Sequence, residues 1–324
     1  MKAAVMIEPE VIQIQDLPIP KVSADGVLIE IHAVGLCGSD LTVFKGQRAV
    51  GFPHVLGHEA SGKVVKVGPA VKKLKVGDRV AIEPNFRCGV CEICRRGTSN
   101  LCPSKETLGL TLPGCFAEYV KVAEPYAWKI PDSMSYLEGA LVEPASVAVH
   151  AVNNLGIRLG DSVLVLGAGP IGLLAMQCAR LAGGEVTVSD IATKRLDLAV
   201  ELGADHISDG HDLRERTFDR IIDAAGMPAT FLAALSLVKP GGTAVLIGFG
   251  GRPVTVDPTT VVRQEINIKG VMACADEFPR TIELIGKRKL QAKPVASCEL
   301  KFDEIERGLR LMDDKTAIKP VVLL

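Results

Sequence analysis

No stretch of this chain stays apolar for the roughly 20 residues that a bilayer-spanning helix needs. The nearest approach, residues 162–182, is broken by glycines, a proline and Arg180. Charge of one sign is not in excess either: 37 Lys and Arg stand against 38 Asp and Glu, a formal net charge of −1, and the basic residues are scattered. That excludes the concentrated basic face used to bind nucleic acid or an anionic membrane. Met1-Lys2-Ala3-Ala4-Val5 opens straight into a strand-like run, without an apolar leader and small-residue cleavage site. Internal repeats and low-complexity tracts are also lacking. These absences predict a cytoplasmic protein with no nucleic-acid or membrane partner.

What is present is a large core and an unusual distribution of cysteine. Hydrophobic residues make up 48% of the 324 positions, enough for about two domains. Of nine cysteines, four fall between Cys88 and Cys102, and a chain able to build its own core does not need disulfides. Clustering of that kind is metal spacing.

The texture changes along the chain. Residues up to about 150 carry short β-type runs separated by Gly and Pro, such as 27–31, 62–67 and 79–82, which predict a strand-dominated, partly closed barrel-like module. From about Leu159 apolar strands alternate with helix-period segments. Ser162–Leu166 is continuously apolar, a helix follows, and further strands are expected at 186–189, 220–223 and 243–247. The overall class is α/β, with a doubly wound parallel sheet. The last fifty residues contain two helix-like stretches, 277–288 and 302–313, and a strand-like end at 317–323.

Gly167-Ala168-Gly169-Pro170-Ile171-Gly172 directly follows the apolar strand and opens a helix, the context in which G-x-G-x-x-G binds a dinucleotide. Gly167 permits the tight turn, Gly169 lets backbone approach the pyrophosphate, and Gly172 lets the helix pack close. Helix N–H groups and the helix dipole then face the phosphates. Asp190 closes the second strand, where a carboxylate accepts the ribose hydroxyls and repels a 2′-phosphate, favouring NAD over NADP. Lys194 and Arg195 lie close enough to blur that choice.

Cys88, Cys91, Cys94 and Cys102 are separated by two, two and seven residues. Four thiolates in one loop close a tetrahedron around zinc with no open position, which is a structural site. An iron–sulfur cluster uses thiolates too, but no further cysteine run accompanies these. A second set of ligand types is dispersed: Cys37 lies in a glycine-flanked loop, and His58 and Glu59 are adjacent. By themselves these residues leave open whether Cys37 approaches His58 at all.

Taken together, Cys37-Gly38-Ser39-Asp40, Gly57-His58-Glu59-Ala60-Ser61-Gly62, Gly77-Asp78-Arg79-Val80, the four-cysteine lobe, Glu143-Pro144 and Gly167 to Gly172 resemble the zinc-containing medium-chain alcohol dehydrogenases. The resemblance runs in order over nearly the whole chain, and its nearest branch is the sorbitol (polyol) and threonine dehydrogenases. It implies a GroES-like catalytic domain over 1–145, completed by 275–324, and a Rossmann NAD-binding domain over 146–274. By that resemblance Cys37, His58 and Glu59 hold a catalytic zinc, and Glu143 ligates it or holds its water. Ser39 takes the alcohol proton. Gly167, Gly169, Pro170, Ile171, Gly172, Asp190 and Arg195 bind NAD, and backbone around Ile247-Gly248-Phe249 and Val271-Met272-Ala273 lines the nicotinamide side. Two zinc ions per subunit, a small-molecule alcohol as partner, and a homotetramer or dimer are implied.

The implied reaction moves hydride between a secondary alcohol, diol-like or polyol-like, and NAD. Two departures bear on it. Thr42 stands where many relatives have a relay histidine, and threonine cannot hold a proton near neutrality. Ala273 and Cys274 replace an arginine and a tyrosine that hold polyol hydroxyls in sorbitol dehydrogenases, so a highly hydroxylated substrate is disfavoured. Phe44, Arg48 and Trp128 are candidate substrate neighbours for which packing or surface is the simpler role. The alternatives are amino-alcohol oxidation of the L-threonine dehydrogenase kind, and a non-catalytic NAD-binding zinc scaffold.

Overall fold

In the computed structural model, which describes residues 1–215, 217–249 and 252–324, the short β-type runs of the first part gather around one long strand, Gly26–Gly35. Val27, Ile29, Ile31 and Val34 of that strand are buried, so it is the axis of its sheet. It pairs antiparallel with Glu59–Val67, Tyr119–Ala123 and Pro320–Leu323. Register shifts after Leu28 and Ile31 bend it, as extra residues in a strand do. The registers Gly35↔Glu59 and Gly35↔Val321 bring the start of one strand and the far end of the chain to the same edge. A smaller sheet joins the hairpin Lys2–Glu8 and Val11–Asp16 to His54–Val55.

These elements belong to a first compact unit, Met1–Glu143 with Phe278–Arg288 and Ala292–Leu324, and the rest of the chain forms a second, Pro144–Glu277 with Lys289–Gln291. Within the first unit the cysteine loop leaves and returns at one place, because Asn85–Phe86 pairs with Glu106–Thr107. Its root is pinned by buried Glu83, which accepts from Arg87 Nη1 at 2.6 Å and Trp128 Nε1 at 2.8 Å. Trp128 is therefore a packing residue. Phe44 is buried beneath the Arg310 guanidinium, and Arg48 is at the surface.

The second unit is a six-stranded parallel sheet. Its spatial order is His206–Ser208, Glu185–Ser189, Ser162–Leu166, Phe218–Asp223, Val238–Leu246, Asn267–Gly270. The chain order reverses between the third and fourth of these, the switch point of a Rossmann sheet, above which ligands sit at the carboxyl ends of the strands. The apolar run Ser162–Leu166 is central and buried on both faces, as its composition requires. The helix-like stretch at 302–313 is a 3₁₀ turn, Phe302–Glu304, leading into the helix Ile305–Asp313. The strand-like end narrows to Pro320–Leu323. Among the described residues no helix is long and apolar enough to cross a membrane.

At the opposite end of the sheet Asp219 Oδ2 accepts from Ser162 N at 2.9 Å, Ser162 Oγ at 2.6 Å and Lys239 Nζ at 2.8 Å. Burial works against its charge, but the ammonium and the serine donors hold its carboxyl down at about 2. Because the folded value lies below the ordinary one, the stabilisation is complete above the ordinary carboxylate range and disappears as pH falls through about 2. Asp219→Asn is expected to cost about 1 kcal/mol at neutral pH, a figure already reduced for solvent screening. Urea unfolding should show the two proteins converging below pH 3, and a constant difference down to pH 2 would contradict this.

Candidate active site and metal centres

The four thiols of the cysteine loop meet as a small tetrahedron. The short helix Glu92–Arg95, capped by Cys91, turns Cys91 and Cys94 inward, and Cys102 follows a 3₁₀ turn that brings it back. Sγ–Sγ separations are 3.6 Å for Cys88–Cys102 and 4.0 Å for both Cys88–Cys94 and Cys91–Cys102. Zn–S bonds of about 2.3 Å at tetrahedral angles give edges of about 3.8 Å, so the thiols fit zinc, and they are far too distant for disulfides of about 2.05 Å. The N–H groups of Val90 and Cys91 pull Cys88 down to about 6, while burial and the neighbouring thiols push Cys94 up to about 12.

The second constellation is built on backbone geometry. Cys37 precedes the helix Gly38–Phe44, and Asp40, three residues on, reaches back so that Oδ2 accepts Cys37 N at 2.9 Å. Oδ1 of Asp40 accepts Gly57 N at 3.1 Å and lies 3.4 Å from His58 Nδ1. One buried carboxylate therefore fixes both segments that carry ligands, and it directs His58 Nε2 away from itself, toward Ser39 Oγ at 3.4 Å. Gly57 has φ +91°, and a side chain there would strike Phe116. Glu59 enters through the pairing with Gly35, where any Cβ would collide with its carboxylate. The result is that ligand atoms of Cys37, His58 and Glu59 all lie within 4.8 Å of one another.

The electrostatics of this cluster favour a cation. Burial opposes charge on His58, yet Asp40 and Cys37 overcome it and raise the imidazole well above its usual range. Burial likewise works against Asp40, whose carboxyl is nonetheless held low by His58 and by the N–H groups of Cys37 and Gly57. Glu143, in the first turn of the helix Val142–Leu155, stands beside the 4.8 Å set rather than within it. Burial first, and the Glu59 charge second, push it up to about 7. A zinc ion suits these donors in softness and charge.

Two participants carry no role in the sequence reading. Asp40 was visible as part of a motif, and its three-residue spacing from Cys37 is the signature of an N-terminal helix cap. Lys319 has no such signal. Buried with 3% exposure, it stands 2.5 Å from Glu59 Oε1 and donates to Leu36 O at 2.9 Å. The final strand pairing alone brings it there. Glu59 Oε2 lies 2.5 Å from Nζ as well, so the ammonium faces both carboxylate oxygens. Thr42 donates its hydroxyl to Ser39 O at 2.8 Å, which commits its proton to its own helix.

The second unit presents the glycine loop at the carboxyl ends of its central strands. Gly167, with φ +97°, follows Leu166 and donates to Ser189 O at 2.7 Å. A Cβ on Gly172 would strike Gly167 O, whereas one on Gly169 would meet nothing within 4 Å. Pro170 and Ile171 open the helix Pro170–Leu181. Asp190 accepts from Ala168 N at 2.8 Å and Ala192 N at 2.9 Å, and Arg195 Nη1 lies 3.7 Å from it. Each carboxylate oxygen retains a lone pair for a ribose hydroxyl. Ile247 and Gly248 donate to Asp223 O at 2.9 and 3.1 Å, with Phe249 exposed beyond them. Val271 continues the next strand, followed by Met272 and Ala273.

Residues 23–132 match the alcohol dehydrogenase GroES-like domain, and residues 170–287 match the zinc-binding dehydrogenase domain. A sorbitol dehydrogenase of Bacillus subtilis (strain 168) is 36% identical over 97% of this chain and 95% of its own length. Among solved structures, a zinc-binding dehydrogenase from Sinorhizobium meliloti 1021 bound to NADP superposes with a TM-score of 0.95 at 31% identity, covering 100% of this chain and 99% of that one. A 2R,3R-butanediol dehydrogenase from Bacillus subtilis does so with 0.92 at 30% identity, covering 100% and 99%. The chain belongs to the zinc-containing medium-chain dehydrogenases, in the branch that includes the sorbitol dehydrogenases.

Two tests follow from this geometry. In metal-depleted protein, Lys319→Met leaves Glu59 charged and buried without its ammonium, an expected cost of about 3–5 kcal/mol. Adding Glu59→Gln should restore most of it, and additive losses in denaturant unfolding would disprove the pairing. Gly169→Ala should leave Tm unchanged while weakening NADH at least about tenfold, because the methyl occupies the space the pyrophosphate needs. Fluorescence titration reads this, and wild-type affinity in the variant would count against the loop.

Proposed function

We propose that the protein oxidises a secondary alcohol, using NAD held by the second unit and a zinc ion held in the first by Cys37, His58 and Glu59. The observation that carries this reading is the convergence of those three ligand atoms within 4.8 Å, on a buried floor with Ser39 Oγ beside the imidazole. When bound, zinc supplies the Lewis acidity that acidifies an alcohol hydroxyl, and NAD supplies the hydride acceptor. Asp40 holds His58 through Nδ1, so Nε2 is its ligand nitrogen. Ser39, partly exposed, would take the hydroxyl proton only in concert with passing its own to solvent, and Thr42, whose own proton is committed, does not extend the path. Glu143, with its carboxyl at about 7, serves as a further ligand or as the holder of a water. A second zinc at Cys88, Cys91, Cys94 and Cys102 is structural.

The substrate we infer is a small diol or simple secondary alcohol rather than a hexitol. Ala273 offers no donor, and the Cys274 side chain is buried with 2% exposure, so nothing in that segment replaces a polyol-binding arginine or tyrosine. NAD is preferred over NADP because Asp190 meets the ribose, although Arg195 lies close enough to accept a phosphate. The cysteines that gather at the two metal centres are held at zinc–thiolate rather than disulfide distances, which supports a reducing, cytoplasmic setting. The exposed edge strand Asn267–Gly270 supports a homo-oligomer, dimer or tetramer.

The deciding experiment pairs metal analysis with turnover. Wild-type protein should hold two zinc ions per chain and reduce NAD with 2,3-butanediol or another vicinal diol more efficiently than with sorbitol or L-threonine. Cys37→Ala should keep one zinc and lose turnover by at least about a thousandfold, since the Lewis acid is gone. A fully loaded wild type without turnover on any alcohol would favour a scaffold role instead.

A further inference from the structure

A polar clamp on the last loop of the second unit is used neither by the metal ligands nor by the glycine loop. His150 Nδ1 lies 2.6 Å from Glu277 Oε1, with side-chain exposures of 16% and 11%. Glu277 turns its other oxygen onto the chain before it, accepting from Ala275 N at 2.7 Å and Asp276 N at 3.0 Å. Burial works against its charge, but the imidazole and those N–H groups hold it below the usual carboxylate range. His150 projects from the helix Val142–Leu155, where Asn154 Nδ2 donates to its carbonyl at 2.7 Å. The clamp therefore ties a rigid helix to a segment that has no secondary structure of its own.

That segment is under strain. Val271 N still donates to Leu246 O at 2.9 Å, but two residues later Ala273 adopts φ +51°. For alanine the left-handed region costs about 1–2 kcal/mol, and it persists only where the surroundings over-determine it. Sheet pairing fixes the segment at Val271, and Glu277 fixes it at Ala275 and Asp276. Between these ends Met272 is exposed, whereas Cys274 and Ala275 are buried.

We infer that His150 is a positioning residue for the coenzyme: acting through Glu277, it holds the backbone of residues 271–275 in the form against which the nicotinamide half of NAD packs. The inference rests on the NAD-binding reading above and adds to it a residue outside the nucleotide fingerprint. Without its imidazole partner the Glu277 carboxylate turns toward water, releases the two N–H groups, and lets Ala273 relax. The adenosine half would not notice, because the clamp's hydrogen bonds reach neither the loop and helix start at Gly167 to Gly172 nor Asp190, just past its strand.

The test separates the two halves of the coenzyme. His150→Phe keeps a ring of similar shape and removes the donor, while Glu277→Gln keeps an acceptor for the two N–H groups. NADH and ADP-ribose, which lacks the nicotinamide, are titrated calorimetrically against wild type and both variants, with zinc content and Tm recorded. The expected result is an ADP-ribose Kd within about twofold of wild type in every case, with NADH about tenfold weaker in His150→Phe and less affected in Glu277→Gln. Wild-type NADH affinity in His150→Phe, or equal loss of both ligands in both variants, overturns the positioning role. A wild-type chain that binds neither ligand overturns the coenzyme reading instead.

Discussion

Burying negative charge is the constraint on which the first unit depends. Asp40, Glu59 and Glu143 are exposed by 0%, 1% and 7%, and the Cys37 thiol stands among them. Each ion taken from water costs several kcal/mol unless it is answered. The three carboxyls are answered differently. Asp40 takes two backbone N–H groups and an imidazole, Glu59 takes an ammonium, and Glu143 keeps its proton until about pH 7. A proton, an imidazolium and an ammonium are all stand-ins for positive charge, and a divalent ion is the most economical replacement for them.

The second unit meets the opposite problem, since there the anion arrives with the ligand. Its solution is to remove side chains and leave N–H groups bare. Gly172 packs where any Cβ would strike Gly167 O, and Gly226 and Gly248 cross so closely that neither can carry one. Polar side chains in this unit are used to hold loops: Asp223 caps the turn at Ala225 and Gly226, and Asp190 ties Ala168 to Ala192. Asp190 therefore shapes the glycine loop through its own backbone contacts.

What could be read from the chain alone divides by the range of the interactions involved. The strand Ser162–Leu166 and the glycine turn after it are local patterns, and the cysteine lobe is a matter of spacing, so both were legible. The edge strands His206–Ser208 and Asn267–Gly270 escaped because exposed edges need no apolar run. The meeting of Cys37 with His58 depends on how distant segments are placed, and only resemblance to a family made it readable. Lys319 was illegible for the same reason in stronger form. A single lysine before an apolar tail looks like a surface residue, and 260 positions separate it from the carboxylate it meets. Thr42 shows the reverse case, where side-chain chemistry put a proton relay beyond Ser39 in doubt and the fold adds that its hydroxyl donates to Ser39 O.

The place of Lys319 in the chain has a consequence for biosynthesis. Every residue of the second unit, whose sheet is assembled from consecutive segments, leaves the ribosome before Lys319 does. The parallel sheet can thus form while the metal pocket still lacks both its counter-charge and the strand that closes it, and domains do tend to fold as they emerge. During that interval Glu59 faces water or a passing cation instead of an ammonium. Closure of the pocket over Glu59 therefore waits on a segment made after the whole of the second unit.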